Sequence, residues 1–464
     1  MKKILPLLVF AIPFSLYSQQ WQGKWNGVVS IGEQNFRLSY LLNQEGDHWV
    51  ADMMSPDQSD NQFRCDRVHL SSDSVVFEAS QMGIAFRGKF NDSHTEISGL
   101  VEQGDSKYPL ILSKKEIRKS IKPRSQNPIE PFPYKVEEVK FSNTKAGIEL
   151  SGTLTYPEGK GPFAAVILVS GSGPQDRDET ILDHRPFWVI ADYLSRQGYV
   201  VLRYDDRGVF QSGGNFLTAT SLDFADDALA AIEFLESKNF VDKTKTGIIG
   251  HSEGGLVAPI AAAQSDKVDF IISLAGTGVS GREILHLQTI DIQSMEGMSK
   301  ESAEADARKN DDIFNILDHY PDSTAAAKAI LHYIDSTKKD LSGTIPDYEN
   351  YKAYHNTFFN TQWMRTFGSY DSAQAWSKVK CPVLALNGDK DLQVNAYINL
   401  NAIAAALEKG GNYNYKTVTF QGLNHLFQPT LYGRVSEYGE IETTIDVQIL
   451  EEMSSWMGTI LQGQ

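Results

Sequence analysis

The hydrophobic and polar positions of this chain follow one pattern up to about residue 119 and a different pattern from residue 134 onward. In the first part, short apolar stretches alternate with polar turn signals such as Glu45-Gly46-Asp47, which is typical of antiparallel strands. About eight such strands in residues 19–119 predict a small all-β barrel or sandwich domain. The clearest predicted strands are Phe36–Leu42, Trp49–Met53, Ser74–Ala79, Ile84–Phe90, Ile97–Val101 and Tyr108–Leu112.

Four prolines cluster between the two patterns, at positions 123, 128, 131 and 133. Proline restricts the backbone, so a stretch this rich in proline is stiff and extended. We therefore predict that residues 120–133 form a linker between two domains that fold separately. A chain that starts near Pro131 is expected to keep its chemistry.

In residues 134–464, hydrophobic strands alternate with helical periods, which predicts a mostly parallel sheet with helices on both faces. In the helix after the fourth strand, we expect Ser221 to be the N-cap and Asp227 to face water. The eight predicted strands are Val136–Phe141, Ile148–Tyr156, Ala164–Val169, Tyr199–Tyr204, Thr246–Ile249, Phe270–Ala275, Val383–Leu386 and Tyr415–Phe420.

A long segment without a convincing strand separates the sixth and seventh predicted strands. It contains amphipathic pieces such as Ile313, Ile316 and Leu317. A bare loop of this length is uncommon in a compact domain. The segment therefore predicts a helical cap at about residues 278–376.

The strongest chemical signal is Gly250-His251-Ser252-Glu253-Gly254, which matches G-x-S-x-G. It directly follows the strand Thr246–Ile249 and precedes the helix-like Leu256–Ala263. A strand that turns sharply into a helix raises the serine hydroxyl above the sheet edge. Ser252 is therefore the candidate nucleophile.

A serine needs a base, and the base needs an orienting acid. Asp391 follows the seventh strand, and His425 follows the last strand, so both belong to the same sheet edge as Ser252. Asp389 in the same loop is the alternative acid. The order serine, aspartate, histidine along the chain is typical of folds in which the nucleophile stands on such a strand–turn–helix.

An oxyanion hole requires two backbone N–H groups near the nucleophile. The residue after the nucleophile, Glu253, is expected to supply one. The glycine-rich turn after the third strand is expected to supply the other, from Ser172 or alternatively from Gly173.

Together these residues resemble the α/β-hydrolase serine esterases, and within them a secreted bacterial group with the loop Gly171-Ser-Gly-Pro-Gln-Asp-Arg-Asp178. The resemblance covers residue 134 to the end. It implies an α/β-hydrolase fold with an inserted cap, and a carboxylesterase that acts on short acyl esters with Ser252, Asp391 and His425 as its triad. Phe210 stands where relatives more often have glycine.

Two other functions compete with ester hydrolysis. A peptidase on the same fold would need a group that anchors a peptide terminus. The cap offers four acidic residues, which are more simply a solvated helix face: Glu304, Asp306, Asp311 and Asp312. A non-catalytic protein that binds a lipid or glycan through the β-domain is the third alternative, and the complete triad argues against it.

Cofactor motifs carry little weight in this sequence. The run from Gly276 to Gly281 fits G-x-G-x-x-G, but no following strand with an acidic end is predicted, so no dinucleotide is expected. The run Asp176-Arg177-Asp178-Glu179 is expected to be a solvated loop. No metal or other cofactor is predicted.

The net charge and the first residues of the chain predict its partners and its location. The net charge of −16 repels phosphate backbones, so no nucleic-acid partner is expected. Lys2 and Lys3 precede an apolar run, from Ile4 to Leu16, that is too short to span a bilayer, as in a signal peptide. We expect residues 1–18 to be removed, no integral membrane segment in the mature chain, and a secreted or periplasmic protein.

Cys65 and Cys381 lie in different predicted domains, and we expect buried thiols rather than a disulfide. Neither the preferred acyl and alcohol groups nor an oligomeric state follows from the sequence.

Overall fold

The computed structural model of the protein describes residues 21–31, 34–46, 48–56, 59–79, 83–103, 106–117, 124–337 and 348–462. The predicted signal peptide, residues 1–18, lies outside this part of the chain. Contacts divide the protein into two compact units, Met1–Lys119 and Ser120–Gln464.

The first unit is a single curled antiparallel sheet in the order β4-β3-β2-β1-β9-β8-β7-β6-β5. Strand β5 also contacts β3, so the two ends of the sheet approach each other. Fully buried aromatic side chains fill the inner face, including Trp25 and a stacked Tyr40–Phe77 pair with ring centroids 4.6 Å apart. The strands are β1 Gly23–Ile31, β2 Gln34–Glu45, β3 His48–Ser55, β4 Ser59–Arg64, β5 Arg67–Leu70, β6 Ser74–Ala79, β7 Ile84–Phe90, β8 Glu96–Gln103 and β9 Ser106–Ser113.

The second unit has a mixed sheet of eight strands among the described residues, in the order β10-β11-β13-β12-β14-β15-β16-β17. The pairs β10–β11 and β11–β13 are antiparallel, and the pairs from β13 to β17 are parallel. Strands β12, β13 and β15 read as nearly continuous apolar runs because both faces of the sheet are covered. The strands are β10 Tyr134–Asn143, β11 Ile148–Pro157, β12 Phe163–Val169, β13 Val200–Tyr204, β14 Val241–His251, β15 Phe270–Leu274, β16 Val383–Gly388 and β17 Tyr415–Phe420.

Helices cover the sheet, and six of those described lie between β15 and β16, where they form the cap. The helices outside the cap are α1 Pro186–Arg196, α2 Ser221–Glu236, α3 Gly254–Gln264, α10 Ala396–Lys409 and α11 Val447–Gln462. The cap helices are α4 Gly281–Met295, α5 Lys300–His319, α6 Ser323–Thr337, α7 Tyr348–Phe359, α8 Gln362–Ser369 and α9 Ser372–Trp376.

Two expectations about helix α2 were wrong. The helix is capped by Thr220, which forms a capping box with Asp223, because Ser221 already lies in the first turn. Asp227 is buried and not solvated, because it accepts hydrogen bonds from the guanidinium of Arg207 at 2.6 and 2.9 Å and from the Asn143 amide at 2.7 Å. A buried carboxylate is tolerated when it is paired in this way.

The proline-rich segment also differs from the expected free linker. Within the second unit, the guanidinium of Arg124 donates to the carbonyls of Leu182, Gly439 and Ile441 at 2.6–3.0 Å. Gln126 bonds to the backbone of residues 444 and 445. The end of the predicted linker is therefore part of the second unit.

The two cysteines lie in different units, and both are free thiols. Burial raises the pKa of each thiol to about 12. In the part of the chain that the structure describes, no helix has the length and apolar character needed to cross a membrane.

Candidate active site

The residues singled out in the sequence stand in loops at one edge of the parallel sheet. Strands β12, β14, β16 and β17 run in the same direction, so their carboxyl ends lie on the same side. Ser172, Ser252, Asp391 and His425 each follow one of these ends. The carboxyl edge of an α/β sheet is where ligands bind in such folds.

Ser252 occupies a sharp turn between β14 and α3. Its φ of 52° lies in the left-handed region, where a residue with a side chain is strained. Its N–H donates to the carbonyl of Leu274 at 2.8 Å, which ties the turn to the neighbouring strand. A methyl group added at Gly250 or Gly254 would lie 2.1 Å from a backbone oxygen, so only glycine permits this turn.

Asp391 and His425 form a buried pair. Oδ2 of Asp391 lies 2.8 Å from Nδ1 of His425, and Oδ1 of the same carboxylate accepts from the N–H groups of Gln393 and Val394. Asp389 faces elsewhere, because its Oδ1 accepts from the N–H of Gly422 at 2.6 Å. The structure therefore brings Asp391, and not Asp389, to the histidine.

Ser252 contacts the glycine-rich loop at Gly171. A methyl group at Gly171 would lie 3.1 Å from Cβ of Ser252, so the loop that carries Ser172 packs against the serine. In the described residues, no hydrogen bond joins the Ser252 hydroxyl to His425, and the N–H groups of Ser172 and Glu253 donate to no protein group. Free N–H groups at this place can bind an oxyanion.

The sequence analysis assigned no role at the site to two residues near the serine turn, His251 and Glu179. The His251 ring lies between two acceptors, with Nδ1 2.8 Å from Oε1 of Glu179 and Nε2 3.1 Å from the carbonyl of His425. Burial lowers the pKa of His251, but the charge and hydrogen bond of Glu179 more than offset it, and the pKa lies above its ordinary value. His251 stands beside the nucleophile in the sequence, and that position was the available signal.

The acidic run from Asp176 to Glu179 was expected to be a solvated loop, and this was wrong. Arg177 pairs with Asp205, and Asp178 pairs with Arg203. Glu179 is buried, and its φ of 51° lies in the left-handed region. Each charge in the run has a partner inside the unit, which the local polarity of the run conceals.

Tyr438 contacts the loop that carries Asp391. The buried Tyr438 hydroxyl accepts from Nε2 of Gln393 at 3.1 Å, and the N–H of Gln393 donates to Asp391. The Tyr438 carbonyl lies 3.0 Å from Nε2 of His184. Desolvation and the charge of Arg124 lower the pKa of His184 to about 4. His184 is therefore neutral at pH 7 and has a structural role.

The cap reaches the turn through Glu253. Its buried carboxylate accepts from the Ser221 hydroxyl at 2.5 Å and from Nε1 of Trp363, in α8, at 2.8 Å. Burial raises the pKa of Glu253, and these two hydrogen bonds oppose the shift. The residue expected to donate its N–H to the oxyanion is thus also the contact between the turn and the cap.

The four acidic cap residues considered as anchors all have partners within the cap. Their partners are Arg308 for Glu304, Lys309 for Asp306, His286 for Asp311 and Tyr333 for Asp312.

Asp291 in α4 is different, because it lies near the triad: Nδ2 of Asn395 donates to it at 3.3 Å. Burial and the charge of Asp391 raise its pKa. No group of His, Cys, Asp and Glu side chains among the described residues could hold a metal ion.

Comparisons with known proteins find relatives of several kinds. Esterase EstD of Thermotoga maritima is 27% identical over 315 residues, which are 66% of this chain and 65% of that protein. Polyketide transferase claH of Penicillium crustosum is 34% identical over 142 residues, 30% of this chain and 43% of that protein. The chain thus spans less than two thirds of the length of each of these relatives. Among solved structures, the esterase Pf2001 of Pyrococcus furiosus shares 16% identity and a TM-score of 0.43, over 71% of this chain and 91% of its own.

The profile of one protein family also matches the chain. The sequence profile of the X-Pro dipeptidyl-peptidase (S15) family matches residues 130–414, which include Ser252 and Asp391 and end before His425. This match extends over more than half of the chain. The chain therefore belongs to the X-Pro dipeptidyl-peptidase (S15) family.

Proposed function

We propose that this protein is a secreted or periplasmic serine hydrolase that cleaves small carboxylic esters through an acyl-enzyme. His425 removes the proton of Ser252 as the hydroxyl attacks the ester carbonyl, and Asp391 holds the imidazole in position. The N–H groups of Glu253 and Ser172 bind the oxyanion. His425 then returns the proton to the leaving alcohol and activates a water molecule for deacylation.

One observation carries this proposal. Ser252 stands in a strained turn at the head of α3, on the sheet edge where His425 pairs with Asp391 at 2.8 Å. Strain of this kind persists only where the surrounding structure enforces it, and it is concentrated at functional sites. The free N–H groups of Ser172 and Glu253 add support, since an oxyanion is what two such donors beside a serine would bind.

Support for esters as substrates comes from the relative EstD, which is an esterase and is similar over 66% of this chain. In the acyl-enzyme, the acyl chain on Ser252 must fit beneath the cap. Esters with a short acyl group are the simplest to accommodate there. The alcohol leaves with a proton from His425, so a good leaving group should react fastest.

The test is hydrolysis of p-nitrophenyl esters of graded acyl length by the wild type and by Ser252→Ala. We expect measurable turnover that falls with chain length and a loss of about 10⁵ to 10⁶ in kcat for Ser252→Ala. Ser265→Ala, at the end of α3, is the matched control and should behave as the wild type. Retained turnover in Ser252→Ala would contradict the proposal.

A peptidase is the second candidate, and Asp291 is the observation that favours it beside the family match. Its partly buried carboxylate lies close enough to Asp391 for that charge to raise its pKa. A carboxylate in this position would gain from a cationic partner, and the ammonium group of a peptide N-terminus is one. Asp291 could therefore anchor a peptide whose scissile bond lies at Ser252.

Rates on an aryl ester and on dipeptidyl anilides with proline at the second position separate the two candidates. If the protein is a peptidase, Asp291→Asn should raise KM for the anilide at least about tenfold and leave the ester rate unchanged. Asp306→Asn, a cap carboxylate paired with Lys309, is the control. If only the ester is cleaved, the protein is an esterase.

A further inference from the structure

Three loops of the candidate site meet at one buried carboxylate. Oε1 of Glu179 accepts from the N–H of Gly171 at 2.7 Å and contacts Nδ1 of His251 at 2.8 Å. Nε2 of His251 in turn contacts the carbonyl of His425 at 3.1 Å. Glu179 and His251 therefore link the glycine-rich loop, the nucleophile turn and the loop of the proposed base. These residues are 72 positions apart in the chain, so the contact is a product of the fold.

The partners of the His251 ring determine its protons. The carbonyl of His425 can only accept a hydrogen bond, so Nε2 must donate. With Glu179 ionised, Oε1 accepts from Gly171 and can only accept from the ring, so Nδ1 donates as well. A ring that donates from both nitrogens is an imidazolium cation.

The environment of Glu179 agrees with a charged pair. The carboxylate is 1% exposed, and its second oxygen, Oε2, has no hydrogen-bond partner in the described structure. A buried carboxylate with an unsatisfied oxygen needs a counter-charge, and His251 is in contact with it. The pKa of His251 above its ordinary value is in line with this pairing.

The pair lies next to the reacting serine. A methyl group at Gly171 would lie 3.1 Å from Cβ of Ser252, 3.2 Å from Oε1 of Glu179 and 3.6 Å from Nδ1 of His251, so these residues surround one point. The ring of His251 is 4.9 Å from the ring of His425, measured between centroids. His251 directly precedes Ser252 in the chain, and a positive charge beside the serine favours the negative charge that develops on the attacked carbonyl.

We propose that Glu179 and His251 form a buried carboxylate–imidazolium pair that positions the Gly171 loop and the His425 loop and keeps a positive charge beside the oxyanion site. This inference rests on the proposed function, in which Ser252 is the nucleophile. His251 and Glu179 are positioning residues, because they act through the backbone of Gly171 and His425. The titratable groups that face His251 are Glu179, His425 and Asp391.

The proposal has a consequence for the dependence of activity on pH. When pH rises through the pKa of His251, the ring loses a proton, a donor and its charge, so kcat falls. Glu179→Gln removes the charge that holds this proton, and burial then lowers the pKa of His251. The alkaline fall in kcat should therefore begin at lower pH in Glu179→Gln, with kcat at pH 7 lower by about ten- to a hundredfold and KM within about threefold.

The first measurement is the proton count of His251, read from nitrogen-15 NMR of histidine-labelled protein and assigned with His251→Gln. We expect two ring N–H signals at pH 7 in the wild type and one in Glu179→Gln. A single N–H in the wild type would overturn the proposal. If His251→Gln does not fold by circular dichroism, the change in spectrum caused by Glu179→Gln supplies the assignment.

The second measurement is the pH profile of kcat, with Asp311→Asn as the matched control. His286 and Asp311 form a pair of the same length, 2.8 Å, on the partly exposed surface of the cap. Asp311→Asn should leave the alkaline limb in place, and an unmoved limb in Glu179→Gln would overturn the proposal. Failure of a fluorophosphonate to label Ser252 would instead reject the proposed function, while the NMR result would still decide the charge of His251.

Discussion

Arg124 offers the sharpest prediction about how the hydrolase unit is held together. Its side chain is 1% exposed, and it donates three hydrogen bonds to backbone carbonyls of the same unit. Hydrogen bonds from a charged group contribute about 1.5–3 kcal/mol each, less the cost of burying the charge. Because the Nε atom has no hydrogen-bond partner among the described residues, that cost is only partly offset, and we expect Arg124→Ala to lose about 3 kcal/mol of unfolding free energy.

The same contacts define where the hydrolase unit begins. Residues 124–126 make seven hydrogen bonds to the rest of the unit, six of them to the segment 439–445 that follows Tyr438. A shortened chain that starts at Ser120 keeps them, and one that starts at Pro131 loses them all. We expect the Ser120 chain to retain kcat within about tenfold of the full protein, a barrier change of about 1.4 kcal/mol. The Pro131 chain should be less stable by about 5 kcal/mol.

Urea unfolding followed by near-ultraviolet circular dichroism measures the difference between these chains. Arg196→Ala is the control, because Arg196 is 42% exposed and pairs with Asp192 on the surface of α1. Such a pair contributes about 1 kcal/mol or less. Equal stability of the Ser120 and Pro131 chains, within about 1 kcal/mol, would refute the reasoning.

Two further predictions concern carboxylates at the site. Asp391→Asn should lower kcat by about 10⁴. Asp389→Asn should lower it by less than about tenfold, because Asp389 bonds to Gly422 and not to the histidine. Steady-state kinetics of both variants test this ranking, and the reverse ranking would reject Asp391 as the acid. Burial raises the pKa of the Glu253 carboxyl above its ordinary value of 4.5. The folded state therefore binds this proton more tightly than the unfolded state, and the free energy of unfolding falls as pH rises from about 4.5. Glu253→Gln has no such proton, and its unfolding temperature should decline less between pH 4.5 and 8; parallel declines would contradict the assigned shift.

The sequence was sufficient for the parts of the fold that local pattern encodes. Strands β6, β7 and β17 begin and end where the alternation of apolar residues predicts. The turn at Ser252 was predictable because its glycines, strand and helix are contiguous in the chain. Strands β4 and β5 were missed because Ser59–Arg64 and Arg67–Leu70 are mostly polar and depend on pairing with their neighbours.

The remaining features depend on contacts between distant residues. Asp227 is a polar residue on an amphipathic helix, and its burial is possible because it pairs with Arg207 and Asn143. Glu179 reads as one charge in an acidic run, and its role comes from His251, 72 residues further along. Arg124 lies in the segment that the sequence predicts to be a linker, yet two of its three carbonyl partners lie more than 300 residues away. Pairing over such distances leaves no periodicity in the sequence.

Covalent labelling of the nucleophile tests the central claim most directly. The folded protein is treated with a fluorophosphonate, digested, and mapped by mass spectrometry. We predict a single phosphonylated peptide with the adduct on Ser252, no adduct in Ser252→Ala, and slower labelling in His425→Gln because the base is lost. An adduct on another serine, or labelling that persists in Ser252→Ala, would contradict the account.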